Sequence, residues 1–242
     1  GFMLKGKTAL ITGSTSGIGL GIARGFAKEG VNIVLNGFAK PEEVATIENE
    51  LKAYKVEVLY SGADMSKPDQ IREMCATALK KFGSVDILVN NAGIQHVESL
   101  DTFPDEKWDA IIAINLSSAF HTIKALTPAM KAKKWGRIIN ISSVHGLVAS
   151  AYKSAYVSAK HGVMGLTKVA ALDFAANGIT ANAICPGYVN TALVQKQIPE
   201  QAKSHGISEE EVKNKIFLEK HAIKDFVEVS DIAAAAIYLC SD

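Results

Sequence analysis

The chain has 242 residues, 48% hydrophobic and 21% charged, with 26 Lys plus Arg against 25 Asp plus Glu. That composition suits one packed globular domain and excludes fibrous and disordered classes, and a net charge near zero supplies no field to draw the chain onto nucleic acid or an anionic membrane. Cys75, Cys185 and Cys240 are odd in number, far apart and outside any CxxC spacing, so no disulfide framework or metal site is expected, and a reducing cytoplasm is.

Gly1 and Phe2 precede Met3 and read as an appended remnant, so the expected domain runs over residues 3–242. From there, short apolar or β-branched runs at 8–11, 33–35, 56–60, 87–89, 137–141 and 180–184 read as six strands alternating with helices. The runs are continuous rather than alternating in polarity, the mark of strands buried on both faces, which predicts a doubly wound α/β fold with a parallel sheet. Gly30 is expected to close the first helix, over 20–29; Pro41 sits in the first turn of the second, and a third runs from near Pro68 to Gly83. No apolar run approaches the roughly 18 to 20 residues of a membrane span. The polar stretch 188–224 falls outside the strand–helix rhythm and is expected to be a small helical lid rather than a second domain. An apolar helix over 231–239 has no closing strand behind it, so either the native chain runs past Asp242 or the sheet ends early.

Directly after the first strand comes Thr12-Gly13-Ser14-Thr15-Ser16-Gly17-Ile18-Gly19. Glycines at such a strand-to-helix turn let backbone approach a pyrophosphate, whose charge is favoured by the free N–H groups of the helix N-terminus. The second strand ends Asn36-Gly37-Phe38, without the acid that binds a ribose 2′-hydroxyl or the Arg that binds a 2′-phosphate. Phe38 offers a flat face to an adenosine and favours NAD, while Lys40 keeps NADP open. Asp64 either accepts from the adenine amino group or caps the turn over residues 66–68. Asn91 and Gly93, at the fourth strand's end, either meet the ligand or tie neighbouring strands.

Tyr156 and Lys160 stand four apart, on one helix face. A nearby ammonium favours phenolate, so the pair is expected to lower the tyrosine pKa and make it a general base. Such a pair also arises by chance. Its context here is Thr12-Gly13-x-x-x-Gly17-x-Gly19, Asn90-Asn91-Ala92-Gly93, Asn115, Ser143, Tyr156-x-x-x-Lys160 and Pro186-Gly187, and in that order the chain resembles the short-chain dehydrogenase/reductases over essentially its whole length. The resemblance implies Tyr156 as acid/base, Ser143 rather than Ser142 as stabiliser of the alkoxide, Lys160 on the nicotinamide ribose, and Asn115 positioning a proton-relay water. It places Pro186, Gly187, Val189 and Thr191 around the nicotinamide, and implies a homotetramer.

Gln95, His145, Lys153 and Gln197 are not demanded by that pattern and together suit a small carboxylate, although each also reads as an ordinary surface or turn residue. His96, His121 and His161 are taken as structural. Residues 93–96, 143–148 and 193–197, with Asn36-Gly37-Phe38, resemble the hydroxy-acid dehydrogenases of the family. That implies NAD and the reversible oxidation of (R)-3-hydroxybutyrate to acetoacetate. The other readings are an NADPH-dependent 3-oxoacyl thioester reductase, a polyol or sugar dehydrogenase, and a nicotinamide-binding regulator without turnover.

Overall fold

A computed structural model describes residues 3–242; Gly1 and Phe2 lie outside the described residues. Six strands, β1 (Thr8–Ile11), β2 (Asn32–Asn36), β3 (Val58–Ser61), β4 (Ile87–Asn90), β5 (Gly136–Ile141) and β6 (Ile179–Ile184), form one sheet in the order β3-β2-β1-β4-β5-β6. Every pairing is parallel. The order reverses between β1 and β4, and a crevice opens at such a switch point outside the carboxyl ends of the strands. All six expected strands are present; the third begins two residues later than its apolar run, with Val56 buried ahead of it.

Helices α1 (Gly17–Lys28), α2 (Pro41–Lys52), α3 (Pro68–Phe82), α4 (Asp105–Ile112), α5 (Ser118–Lys133) and α6 (Ser154–Phe174) cover the two faces. Pro41 and Pro68 stand in first turns, and Gly83, with φ +78°, ends α3. One core lies between the sheet and α1, around Phe26, Ile33, Leu35 and Ile87. The other face packs Leu10, Leu88, Ile138 and Leu126 with α3 and α5. Helix α9 (Val229–Leu239) lies against α1 so closely that a Cβ on Gly21 would sit 1.9 Å from Val229 Cγ1 and one on Gly25 3.0 Å from Ala233 Cβ.

Two stretches lie outside the simple alternation of strand and helix. Helices α4 and α5 join through a π-turn, Ala113–Ser117, into one helical stretch, Asp105–Lys133. By length and composition alone its 29 residues could cross a membrane. Its apolar side is occupied, however: Ile111, Ile123, Leu126 and Met130 are buried in the protein interior, as in a core helix. The stretch expected to be a lid holds α7 (Ala192–His205), α8 (Glu209–Val212) and a further π-turn, Lys213–Phe217, around their own small core of Ile198, Val212, Phe217 and Leu218.

Candidate active site

A cleft of about 920 Å³ opens at the carboxyl ends of the strands, lined among others by Gly13, Ser16, Phe38, Asp64, Asn91 and Tyr156. Its floor is the turn from β1 into α1, where Gly13 and Gly17 take left-handed φ values of +61° and +56°. Ser16 flanks α1 without a side-chain capping bond, so the first-turn N–H groups of α1, with the positive end of its dipole, face the cleft. A Cβ on Gly19 would lie 2.3 Å from the Gly13 carbonyl oxygen and 2.6 Å from Asn91 Nδ2; only glycine lets α1 start this close to the sheet. Asn91 holds the turn in place, its Nδ2 donating to the Gly13 and Thr12 carbonyls at 3.0 and 3.2 Å. The Thr12 hydroxyl accepts from the N–H of Asn91 and of Ala92, both at 2.9 Å. Asn91 is therefore a strand tie, and it lines the cleft as well.

Asn36 does similar work at the end of β2. Its Oδ1 accepts from the Gly13 N–H at 3.0 Å and its Nδ2 donates to the Ser61 and Ala63 carbonyls, each at 3.1 Å. Phe38, two residues on, is 75% exposed at the rim. Asp64 accepts the Ser66 hydroxyl and N–H at 2.7 and 2.9 Å through one oxygen, and these bonds hold its carboxyl below the usual range. The turn-capping reading of Asp64 is seen directly, at a residue that also lines the cleft.

At the far end, Tyr156 and Lys160 rise from α6 into the same cleft. The Lys160 ammonium lies 5.5 Å from the Tyr156 ring centroid and donates to the Ile141 carbonyl at 3.1 Å. Burial brings the Lys160 pKa down to about 8. The expected lowering of Tyr156 is corrected: burial pushes the phenol up, Tyr188 adds to the push, and a hydrogen bond with Ser143 opposes it. Desolvation outweighs a cation whose protons point at a carbonyl. Of the two serines, Ser142 lines the cleft, its hydroxyl donating to the Lys160 carbonyl at 3.4 Å, while Ser143 lies outside the lining. Ser143 Oγ stands 3.2 Å from His145 Nδ1, and the His145 ring packs edge-on against Tyr156 with centroids 5.8 Å apart. Burial lowers the His145 pKa, with the Lys153 charge adding to it, so the neutral imidazole is favoured. Asn115, in the π-turn, accepts from the Ile94 N–H at 2.8 Å and donates to the Ile94 carbonyl at 2.9 Å. These two bonds fix the orientation of the amide and leave one N–H and one lone pair of it for a further partner.

A family model of the short chain dehydrogenases matches residues 7–202. The chain belongs to that family. Among curated relatives, it is 58% identical over 237 residues to a D-beta-hydroxybutyrate dehydrogenase of Rhizobium meliloti, covering 98% of this chain and 92% of the relative. It is 56% identical over 240 residues to one of Cupriavidus necator, covering 99% and 93%. A 3-oxoacyl-[acyl-carrier-protein] reductase of Staphylococcus epidermidis is 36% identical over 236 residues, covering 98% and 92%. Among solved structures, L-sorbose reductase from Gluconobacter frateurii, complexed with NADPH and L-sorbose, superposes with a TM-score of 0.93 at 32% identity, covering 100% of this chain and 92% of that one.

In this short-chain dehydrogenase the four residues expected around a carboxylate are not equally placed. Gln95 lines the cleft, its Oε1 accepting from the His96 N–H at 3.1 Å. His145 is against Tyr156, and Lys153, at the start of α6, is near enough for its charge to act on His145. Gln197 lies on α7 next to buried Ile198, and, like His145 and Lys153, it is outside the cleft lining, which takes Gln95 alone of the four. Thr191 caps α7, accepting from the Val194 N–H at 3.3 Å, and lines the cleft. Pro186 accepts from the Val144 N–H at 3.2 Å, buried Val189 bridges to Val227, and a Cβ on Gly187 would meet His221 Cε1 at 2.5 Å. Tyr188 falls within the stretch 186–189 expected to flank the nicotinamide, but no role of its own was expected for it; it acts on Tyr156 and packs edge-on to Phe217 at 5.2 Å. Also missed was a buried polar chain across β4 and β5, in which Thr122 donates to Asn90, Asn90 to Asn140 and Asn140 to Thr167, at 2.6, 2.9 and 2.8 Å. An asparagine in the middle of the apolar run 137–141 was its signal.

Proposed function

We propose that this short-chain dehydrogenase catalyses the reversible NAD-dependent oxidation of (R)-3-hydroxybutyrate to acetoacetate. The observation that carries the reading is the 58% identity, over 98% of the chain, to a D-beta-hydroxybutyrate dehydrogenase, set beside a cleft holding Tyr156 and Lys160. The cleft fits a dinucleotide: the N-terminus of α1 has no side-chain cap, and a Cβ on Gly17 would project into open space, as a cradle for a pyrophosphate requires. Gly13, Thr15, Ser16, Gly17, Ile18 and Gly19 hold the pyrophosphate half, Phe38 and Asp64 the adenosine. Asn91, Gly93, Pro186, Gly187, Val189 and Thr191 hold the nicotinamide end. The neutral Asn36-Gly37-Phe38 corner provides no cation for a 2′-phosphate, which favours NAD. Together these residues would hold a cofactor that, when bound, would supply an acceptor for the hydride of the carbinol carbon.

Tyr156 takes the hydroxyl proton of the substrate in oxidation and returns it in reduction. Ser143 donates to the same oxygen and keeps the phenol oriented. Lys160 steadies the negative charge that forms on the phenol, and Asn115 positions a water that relays protons from Lys160. Gln95, His145 and Lys153 bind the carboxylate, and Gln197 joins them as the lid closes. The exposed Phe120, Val169 and Leu172 on α5 and α6 support self-association as a homotetramer, and three free cysteines suit a cytoplasmic enzyme.

The test compares kcat/KM for (R)-3-hydroxybutyrate, its enantiomer and a neutral secondary alcohol, with NAD and with NADP. Strong preference for the R acid with NAD is expected, and equal rates would remove the reading. Lys153→Ala should raise KM for the acid about tenfold or more while leaving NAD affinity in place. Faster turnover of a 3-oxoacyl thioester with NADPH, or of a sugar, would move the enzyme toward the activities named for its 36% and 32% identical relatives.

A further inference from the structure

Between β4 and α4 the chain runs from Asn91 to Pro104 with a single short helical turn, Leu100–Thr102, yet this loop carries Gln95. A second irregular loop, between β5 and α6, carries His145 and Lys153. One hydrogen bond joins them: the Glu98 N–H donates to the Tyr152 carbonyl at 2.9 Å. Tyr152 has φ +67°, a left-handed conformation that a residue with a bulky side chain seldom takes and that persists only where the surroundings hold it. The Tyr152 side chain is 61% exposed, so side-chain burial does not hold it.

On the other side of that bond, the Glu98 carboxylate grips His96 Nε2 at 3.0 Å. The His96 ring lies edge-on to Phe103 at 5.3 Å, and Phe103 packs into the small core of Ile111, Ala155 and Ala159. Ala155 and Ala159 immediately precede Tyr156 and Lys160. Both ends of the connection therefore rest on the first turns of α6. His96 is the neighbour of Gln95 in the chain, and Tyr152 the neighbour of Lys153.

We propose that His96 and Glu98, locked to the main chain of Tyr152, are positioning residues that set the separation of Gln95 and Lys153, so that both reach one substrate carboxylate. The inference rests on the carboxylate-binding reading given above. It follows from geometry and charge together. Two donors on separate flexible loops bind a small anion weakly unless the loops are ordered beforehand, because that ordering then opposes binding. A mobile carboxylate at Glu98 would also repel a negative substrate, and the bond to His96 fixes where that charge lies.

The experiment measures KM and kcat for 3-hydroxybutyrate, kcat/KM for a neutral secondary alcohol, and the Kd of NAD. In His96→Ala, KM for the acid rises about tenfold, while kcat, the neutral alcohol and NAD change by less than about twofold. Glu98→Gln, which keeps an acceptor for His96, leaves KM within about twofold of the parent. Tyr152→Gly frees the strained backbone and raises KM without lowering Tm, which separates positioning from damage to the fold. Equal losses for acid and neutral alcohol in His96→Ala would mean a scaffolding role only and overturn the proposal. If Lys153→Ala raises KM for the acid and His96→Ala does not, the positioning role fails while the carboxylate reading stands. If Lys153→Ala leaves KM unchanged, the carboxylate reading itself fails and takes this inference with it.

Discussion

The Lys160 ammonium donates to the Ile141 carbonyl at the floor of the cleft, with its pKa brought to about 8 by burial, beside a phenol whose own pKa burial raises. Oxidation needs Tyr156 deprotonated, so its rate climbs with pH through the Tyr156 titration; reduction needs the phenol and falls over the same range. The positive charge on Lys160 favours phenolate. That charge is present below about pH 8, so replacing Lys160 by Met should lower kcat about a hundredfold or more near neutrality, move the lower part of the rising limb to higher pH, and cost less in alkali, where the lysine is already neutral. Profiles of kcat against pH for both enzymes check this, and an unmoved limb would show that Lys160 acts only through binding. The Tyr156 and Lys160 pair was legible in the sequence because four residues on one helix is a local geometry. The direction of the tyrosine shift was not, since it comes from burial by chain segments distant in sequence, Tyr188 among them.

Strands were legible for a related reason: a strand buried on both faces has no choice but a continuous apolar run, as 8–11 and 137–141 show. Turns set by a close approach of two distant segments were less visible. Gly178 starts β6 with φ +71°, and a Cβ there would lie 2.2 Å from the main-chain oxygen of Lys134, the left-handed residue that ends α5. The Gly178 carbonyl in turn accepts from the Gly136 N–H at 3.2 Å, at the start of β5. Backbone cannot yield as a side chain can, so Gly178→Ala combines conformational strain with a main-chain clash and should cost about 2 kcal/mol or more. Lys134→Gly relieves a left-handed residue at an open site and should stay within about 1 kcal/mol of the parent. Urea denaturation of the two variants checks both, and a Gly178→Ala protein as stable as the parent would contradict the geometry. The π-turn at Ala113–Ser117 left no trace in the hydrophobic pattern, since one extra residue in a turn shifts the apolar period too little to be seen.

Across the whole molecule the apolar interior is divided. Two large cores sandwich the sheet, whereas Ile198, Val212, Phe217 and Leu218 form a third that closes within α7, α8 and their neighbouring turns. Tyr188 packs on this third core through Phe217, and Phe217 packs in turn on Phe226 with centroids 6.0 Å apart. A segment with its own core can open as a unit while the sheet stays folded, which is what a substrate lid requires. Phe217→Ala should therefore melt the lid and spare the sheet. Removing so large a buried side chain costs about 3–5 kcal/mol, more than a four-residue core is expected to supply, so the loss should fall on local opening rather than on global unfolding. Amide exchange should speed up across 192–217 and stay slow in β1 and β4. KM for 3-hydroxybutyrate should rise severalfold if, as proposed, Gln197 joins the carboxylate when this segment closes, because the melted segment can no longer bring it there. NAD binding at Gly13 to Gly19, anchored by Asn36 and Asn91 in the main body, should weaken less. If exchange instead accelerates equally in β1 and α7, the third core is continuous in energy with the other two, and 188–224 is part of the domain body rather than a lid.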